Sequence, residues 1–100
     1  MEEPKFFRIL GLIVTHQPDS NLERNLSALL AQVDEVVVVD NWSTNVSIIE
    51  AITSQPNCRL IKNNSNFGIA HALNQGRDIA LMEGFSWLAT FDQDSLVTPG

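Results

Sequence analysis

One hundred residues suffice for one small domain or part of a larger one. An apolar fraction of 44% with a mean hydropathy near zero excludes a disordered chain. A formal charge of −6 without a Lys/Arg cluster argues against nucleic-acid binding, and no apolar run nears the roughly 20 residues that span a bilayer. Cys58 is the single cysteine, so an internal disulfide and a thiolate cage are excluded and a small buried hydrophobe is expected. Met1-Glu2-Glu3-Pro4-Lys5 lacks the order of a signal peptide, which leads to the expectation of a cytoplasmic protein.

Phe6 to Thr15 forms a nearly continuous apolar run, the pattern of a strand covered on both faces in a parallel sheet. After Pro18-Asp19, Ser20-Asn21-Leu22-Glu23 matches a capping box, and Leu22, Leu26, Leu29, Leu30 and Val33 recur at helical spacing. Glu35-Val36-Val37-Val38-Val39-Asp40 is the clearest strand, because β-branched side chains pack well on a pleated surface. A second helix is expected from Ser43 or Ser47 to about Ser54, carrying Ile48, Ile49 and Ile52. Cys58 to Lys62 reads as a short edge strand, and Asn63 to Asn66 as a loop. Gly68 to Glu83 reads as a third helix closed by Gly84. The fourth strand, Trp87-Leu88-Ala89-Thr90-Phe91, runs into Asp92-Gln93-Asp94.

Strands alternating with helices imply an α/β, Rossmann-like parallel sheet with flanking helices and right-handed crossovers. Ligands of such sheets bind beyond the carboxyl ends of the strands. That rule gathers Thr15, His16 and Gln17, Asp40 and Asn41, the Asn66 loop and Asp92/Asp94 on one rim. Asp92 and Asp94 share a strand face, and at about 3.3 Å per residue their carboxylates lie roughly 6–7 Å apart. Their repulsion, about 2.5 kcal/mol at an effective dielectric near 20, would be relieved by a divalent cation or by hydrogen-bond donors, although a solvated turn, where it falls to about 0.6 kcal/mol, produces the same short motif. Asp40 can accept from a base or ribose, or can simply cap the turn after its strand. Asn66 precedes a helix amino end suited to phosphate, although Asn-rich turns also occur without ligands. His16 can stack on a planar base or stand as a surface histidine, and His71 reads as a surface or packing residue.

Other phosphate motifs fail on inspection. No G-x-G-x-x-G follows the first strand, no P-loop occurs, and the sixth position counted from Asp92 is Val97, where a calcium loop needs Gly. An Asp-x-Asp phosphatase of the haloacid dehalogenase type resembles Asp92-Gln93-Asp94. That family carries the pattern on its first core strand, whereas here it follows the fourth.

Four motifs in order join these pieces: Val14-Thr15-His16-Gln17-Pro18-Asp19; Val36 through Asp40-Asn41-Trp42-Ser43; Asn63 to Asn66 with Gly68-Ile69-Ala70, Ala72, Asn74 and Gly76; and Trp87 through Asp92-Gln93-Asp94-Ser95. Together they resemble the amino-terminal half of an inverting family 2 glycosyltransferase with the GT-A fold, most like its bacterial rhamnosyltransferase branch, over about residues 9–99. The resemblance implies sheet order 3-2-1-4 and a nucleotide-sugar site that takes in Thr15, His16, Asp40, Asn66, Asn74 and Asp92. In it Asp40 faces the N–H edge of the base, Asp92 lies near the ribose, and Asp94 with Asp92 holds Mg²⁺ or Mn²⁺ against the donor pyrophosphate. The implied donor is dTDP-rhamnose and the implied acceptor a glycan hydroxyl. Family analogy adds a peripheral position of the full enzyme at the inner face of the membrane.

This sequence departs from the family at several points. His16-Gln17 replaces Tyr-Asn, Trp42 stands where Gly is usual, and Leu73 replaces a polar Arg or Gln. In the family the acceptor half and the carboxylate general base follow the point where this sequence stops, so residues 1–100 are expected to be the nucleotide-sugar-binding part of a truncated domain, inactive alone. No residue here matches that base. An open apolar edge at Trp87 to Phe91 and self-association through it are expected as well. The competing reading is a non-catalytic nucleotide-binding or assembly module with a decayed site, motivated by Trp42 and Leu73.

Overall fold

Val36, Val37, Val38 and Val39 are all fully buried, which requires cover on both faces of their strand. The computed structural model, which describes residues 8–92 and only the backbone of Asp92, provides it. Its elements in chain order are β1 (Ile9–Thr15), α1 (Asn21–Leu30), β2 (Glu35–Asn41), α2 (Val46–Ile52), β3 (Cys58–Asn63), α3 (Ile69–Met82) and β4 (Trp87–Asp92). The four strands form one parallel sheet in the order β3-β2-β1-β4, as expected from the sequence.

Side-chain alternation divides the core into two layers. Leu10, Leu12, Val37 and Val39 face α3 and pack with Ala72, Ala80 and Phe85. Ile13, Val36 and Val38 face the other way, against Leu22, Leu26 and Leu29 of α1 and Ile49 of α2. Each such buried aliphatic side chain contributes about 1.5–3 kcal/mol, so the two layers dominate stability. Gly76 lets α3 lie close on β1: a Cβ there would come within 2.6 Å of Leu12 Cδ2.

Several local expectations need correction. The capping box at Ser20 and Glu23 does not form, since Ser20 is already helical (φ −67, ψ −10) and makes no side-chain cap bond. Asp19 starts the turn one residue earlier instead: its Oδ1 accepts the Asn21 N–H at 2.8 Å and its carbonyl the Leu22 N–H at 3.3 Å. Of the two starts expected for the second helix, Ser43 is engaged in the turn after β2, and the helix takes the later one, beginning at Val46. Asn63 belongs to β3 and is buried, so the loop begins one residue later than expected. Cys58 is half-buried beside the α1/α2 layer, and burial pushes its thiol up to about 11, which leaves it protonated and unreactive at neutral pH. His71 is exposed and packs against the Phe67 ring, centroids 4.8 Å apart.

The register aligns the strand ends. Thr15 pairs with Asp40, Asn41 with Asn63, and Val14 with Asp92. All four strand termini therefore meet on one rim, and the loop before α3 joins them through Gly68.

Candidate functional site

Thr15, at the end of β1, pairs in register with Asp40, the next-to-last residue of β2, so their side chains leave the sheet on the same face. Both are buried, and Thr15 Oγ1 donates to Asp40 Oδ1 at 2.7 Å. Asp40 then closes its own turn. Oδ2 accepts the Ser43 N–H at 2.9 Å, and Oδ1 accepts the Ser43 hydroxyl at 2.5 Å. This Asx-type turn holds a desolvated carboxylate by three donors, two hydroxyls on Oδ1 and one backbone amide on Oδ2.

The loop after β1 is laced to the loop after β2. The Gln17 N–H donates to Ser43 Oγ at 2.8 Å, and Gln17 Oε1 accepts from Thr44 N–H at 2.9 Å and Thr44 Oγ1 at 3.1 Å. Asn45 Nδ2 donates to the Pro18 carbonyl at 3.3 Å, while Asn45 Oδ1 is buried with no hydrogen-bond partner among the described residues. His16 Nδ1 lies 2.8 Å from the Asn41 carbonyl oxygen. A carbonyl only accepts, so Nδ1 carries the proton and the ring is oriented over the end of β2.

On the opposite face of the sheet, Asn41 and Asn63 point toward α3. Asn63 Nδ2 donates to Asn41 Oδ1 at 2.8 Å and to Gln75 Oε1 at 3.0 Å, and Gln75 Nε2 returns a bond to Asn63 Oδ1 at 2.9 Å. Asn41 Nδ2 donates to the Gly68 carbonyl at 3.2 Å, which docks the start of α3 on β2. Sequence reasoning missed this amide cluster. Its signal was two adjacent strands both ending in Asn, which becomes meaningful only once register is known.

The loops also carry backbone strain. Gln17 and Trp42 have φ of 50° and 66°, left-handed values that cost a residue with a Cβ about 1–2 kcal/mol each. The positive φ at position 42 means that the turn keeps the geometry glycine would favour, with Trp accepting the strain. The Trp42 side chain is 58% exposed. It lines a cleft of about 330 Å³ with Asp40, Ser43, Thr44, Val46, Lys62, Asn63 and Asn64, between the carboxyl ends of β2 and β3.

Of the residues singled out from sequence, Thr15, His16 and Asp40 come together directly. Asn66 is exposed and its Oδ1 accepts the Gly68 N–H at 3.0 Å, a local turn at the entry to α3. Asn74 is exposed on α3, and its neighbour Gln75 is the residue that joins the amide cluster. Leu73 is half-buried against the α3 layer. Backbone pairing with Val14 carries Asp92 to the same rim, and Asp94 lies outside the described residues. Among the described residues no three His, Cys, Asp or Glu side chains converge as metal ligands, and no helix is long and apolar enough to cross a membrane.

Comparison with known proteins places this geometry in a family. Residues 12–100 match the model for glycosyl transferase family 2. The chain is 37% identical over 93 residues to the dTDP-rhamnosyl transferase RfbF of Shigella flexneri, across 89% of this chain and 30% of that protein. The chain thus spans less than a third of the length of that relative.

Proposed function

The chain belongs to glycosyl transferase family 2, and from that premise we propose that it forms the donor-binding part of an enzyme that moves a sugar from a nucleoside diphosphate to a glycan hydroxyl, with inversion at the anomeric carbon. The observation that carries the reading is the convergence of Thr15, His16 and Asp40 on the rim that β4 also reaches with Asp92. The similarity to a protein named as a dTDP-rhamnosyl transferase supports dTDP-rhamnose as the donor.

In this reading the rim works by preorganisation. Thr15 and Ser43 fix the Asp40 carboxylate, so that it meets the N–H edge of the base without first reorganising. His16, anchored through Nδ1, offers a ring face beside it. Asn66 and Asn74 supply polar edges toward the diphosphate and sugar. The family resemblance assigns Mg²⁺ or Mn²⁺ to Asp94 with Asp92. Two hard carboxylates beside a substrate diphosphate suit Mg²⁺, which takes one or two carboxylates and completes its shell with phosphate oxygens. When bound, the ion supplies positive charge against the departing diphosphate. Deprotonation of the acceptor requires a base within hydrogen-bond reach, and none of the described rim residues is assigned that role. The outer edge of β4, which pairs with no strand among the described residues and has Trp87 exposed, is proposed as a surface for self-association.

Leu73 favours the second reading, a non-catalytic module, because it packs into the core where a polar donor contact would serve an enzyme. Calorimetric titration with dTDP and Mg²⁺ separates the two. Metal-dependent binding that disappears in Asp94→Ala supports the donor site, and a folded chain that binds no dTDP supports the module.

A further inference from the structure

Trp42 is explained neither by folding nor by turn geometry. Its φ of 66° belongs to glycine, its side chain is 58% exposed, and it joins neither core layer. A bulky residue kept in a strained, solvent-facing position points to a role for the side chain itself. That side chain forms a wall of the cleft between β2 and β3.

The lining of the cleft indicates the occupant. Trp42 and Val46 give it an apolar surface, and Ser43, Thr44 and Asn64 give it neutral hydrogen-bonding groups. Its one lining cation, Lys62, already faces Glu50 at 3.6 Å, and Asp40 adds negative charge. Such a surface suits a flat, neutral heterocycle far better than a diphosphate. A volume of about 330 Å³ stands at the small end of ligand pockets, which run from about 300 to 1,000 Å³, and matches a nucleoside better than a whole nucleotide sugar.

Resting on the donor-binding reading above, we propose that Trp42 is the stacking platform for the donor's nucleobase, which lies in the β2/β3 cleft with its face on the indole. The base then meets Asp40 at its edge and Trp42 at its face. The strained turn is retained because it presents the ring.

The chain has two tryptophans, and Trp87 stands at the start of β4, outside the cleft lining. Trp87→Phe therefore leaves Trp42 as the single indole emitter. Saturating dTDP with Mg²⁺ is expected to quench that emission after correction for absorbance. Trp42→Phe should keep dTDP affinity within about threefold, and Trp42→Gly should lower it by about 5- to 150-fold, the range for losing one aromatic stack on a base. Binding of inorganic pyrophosphate should be unchanged in both. Trp42→Gly relieves backbone strain, so its folding is not in jeopardy, and circular dichroism checks it. Equal dTDP affinity in wild type and Trp42→Gly, or unaltered Trp42 emission at saturation, overturns the stacking role while leaving the donor site standing. Failure of the folded wild type to bind dTDP at all overturns both.

Discussion

The two ends of the sheet are built from different chemistry. At the amino end, Arg59 bridges Glu83, just after α3, and Glu35 of β2, at 2.5 and 2.7 Å, and Arg8 lies 3.7 Å from Glu35 while covering the Phe85 ring. The left-handed backbone positions there are Asn57 and Gly84, residue types that adopt such φ at little cost. At the carboxyl end the close ties are neutral amides and hydroxyls around the Asp40 carboxylate, and the ion pair at its border, Lys62 with Glu50, is long at 3.6 Å. Besides Gly68, its left-handed positions fall on Gln17 and Trp42, and a buried Asn45 oxygen lacks a partner. The amino end is locally consistent and the carboxyl end is not. Local inconsistency concentrated on one rim is what a functional site leaves behind when the rest of the fold obeys the rules.

The comparison breaks most visibly at Asp40. Asp40→Ala removes the acceptor of three hydrogen bonds, leaving the buried Thr15 hydroxyl and the Ser43 N–H unsatisfied. The expected loss is about 3 kcal/mol in urea denaturation, because buried donors without partners cost about 1–3 kcal/mol each. A loss below about 1 kcal/mol would mean that the turn is held by something else. Next comes Asn63→Leu, which deprives both Asn41 Oδ1 and the Gln75 amide of partners. It should cost about 1–3 kcal/mol. A double-mutant cycle with Gln75→Leu tests whether the cluster acts as a unit: the pair should lose clearly less than the sum of the single changes.

How much of this was legible before the structure follows from the kind of interaction involved. The Val36 to Val39 run, the leucines at helical spacing and the order of the motifs were enough for the four strands, three helices and sheet order. The strands and helices depend on periodicity, which a single segment carries within itself, whereas the sheet order followed from the resemblance of the motifs to the family. The rim was legible only as a location. That Asp40 joins Thr15 on one face while Asn41 joins Asn63 on the other depends on register, a relation between strands 25 and 22 residues apart. The capping box failed for a similar reason: two competent residues, Asp19 and Ser20, stood side by side, and the earlier one took the turn. Asp94, the residue with the sharpest expected role, lies outside the described residues.

A smaller effect of opposite sign sharpens the contrast. Trp42→Gly should stabilise the chain by up to about 1 kcal/mol, since release of a left-handed Trp is partly offset by the greater chain entropy of Gly when unfolded. Gln17→Gly should gain nothing, because the same change deletes the two bonds from Thr44 to Oε1. Equal gains at both positions would show that strain on the rim is incidental to what the side chains do.

The smallest effects belong to the amino end, and their signature is dependence on pH and salt rather than magnitude. The hydrogen bond from Arg59 holds the Glu83 carboxyl below its usual value, and the bonds to Glu83 and then Glu35 raise the Arg59 guanidinium further above its own. A lowered carboxylate favours folding above its unfolded value, about 4.3, and loses that contribution as pH falls through the folded value. Glu83→Gln should thus be slightly less stable than wild type at pH 7, and the difference should fade as pH falls through the lowered Glu83 value. Because the pair is exposed, 1 M NaCl, with a screening length of about 3 Å, should also erase most of the difference at pH 7. The Asn63→Leu loss should survive both treatments, since no charge in the amide cluster titrates or is screened. A Glu83 effect that persists in 1 M salt, or an Asn63 effect that fades in it, would mean that the two ends of the sheet are not held by different forces.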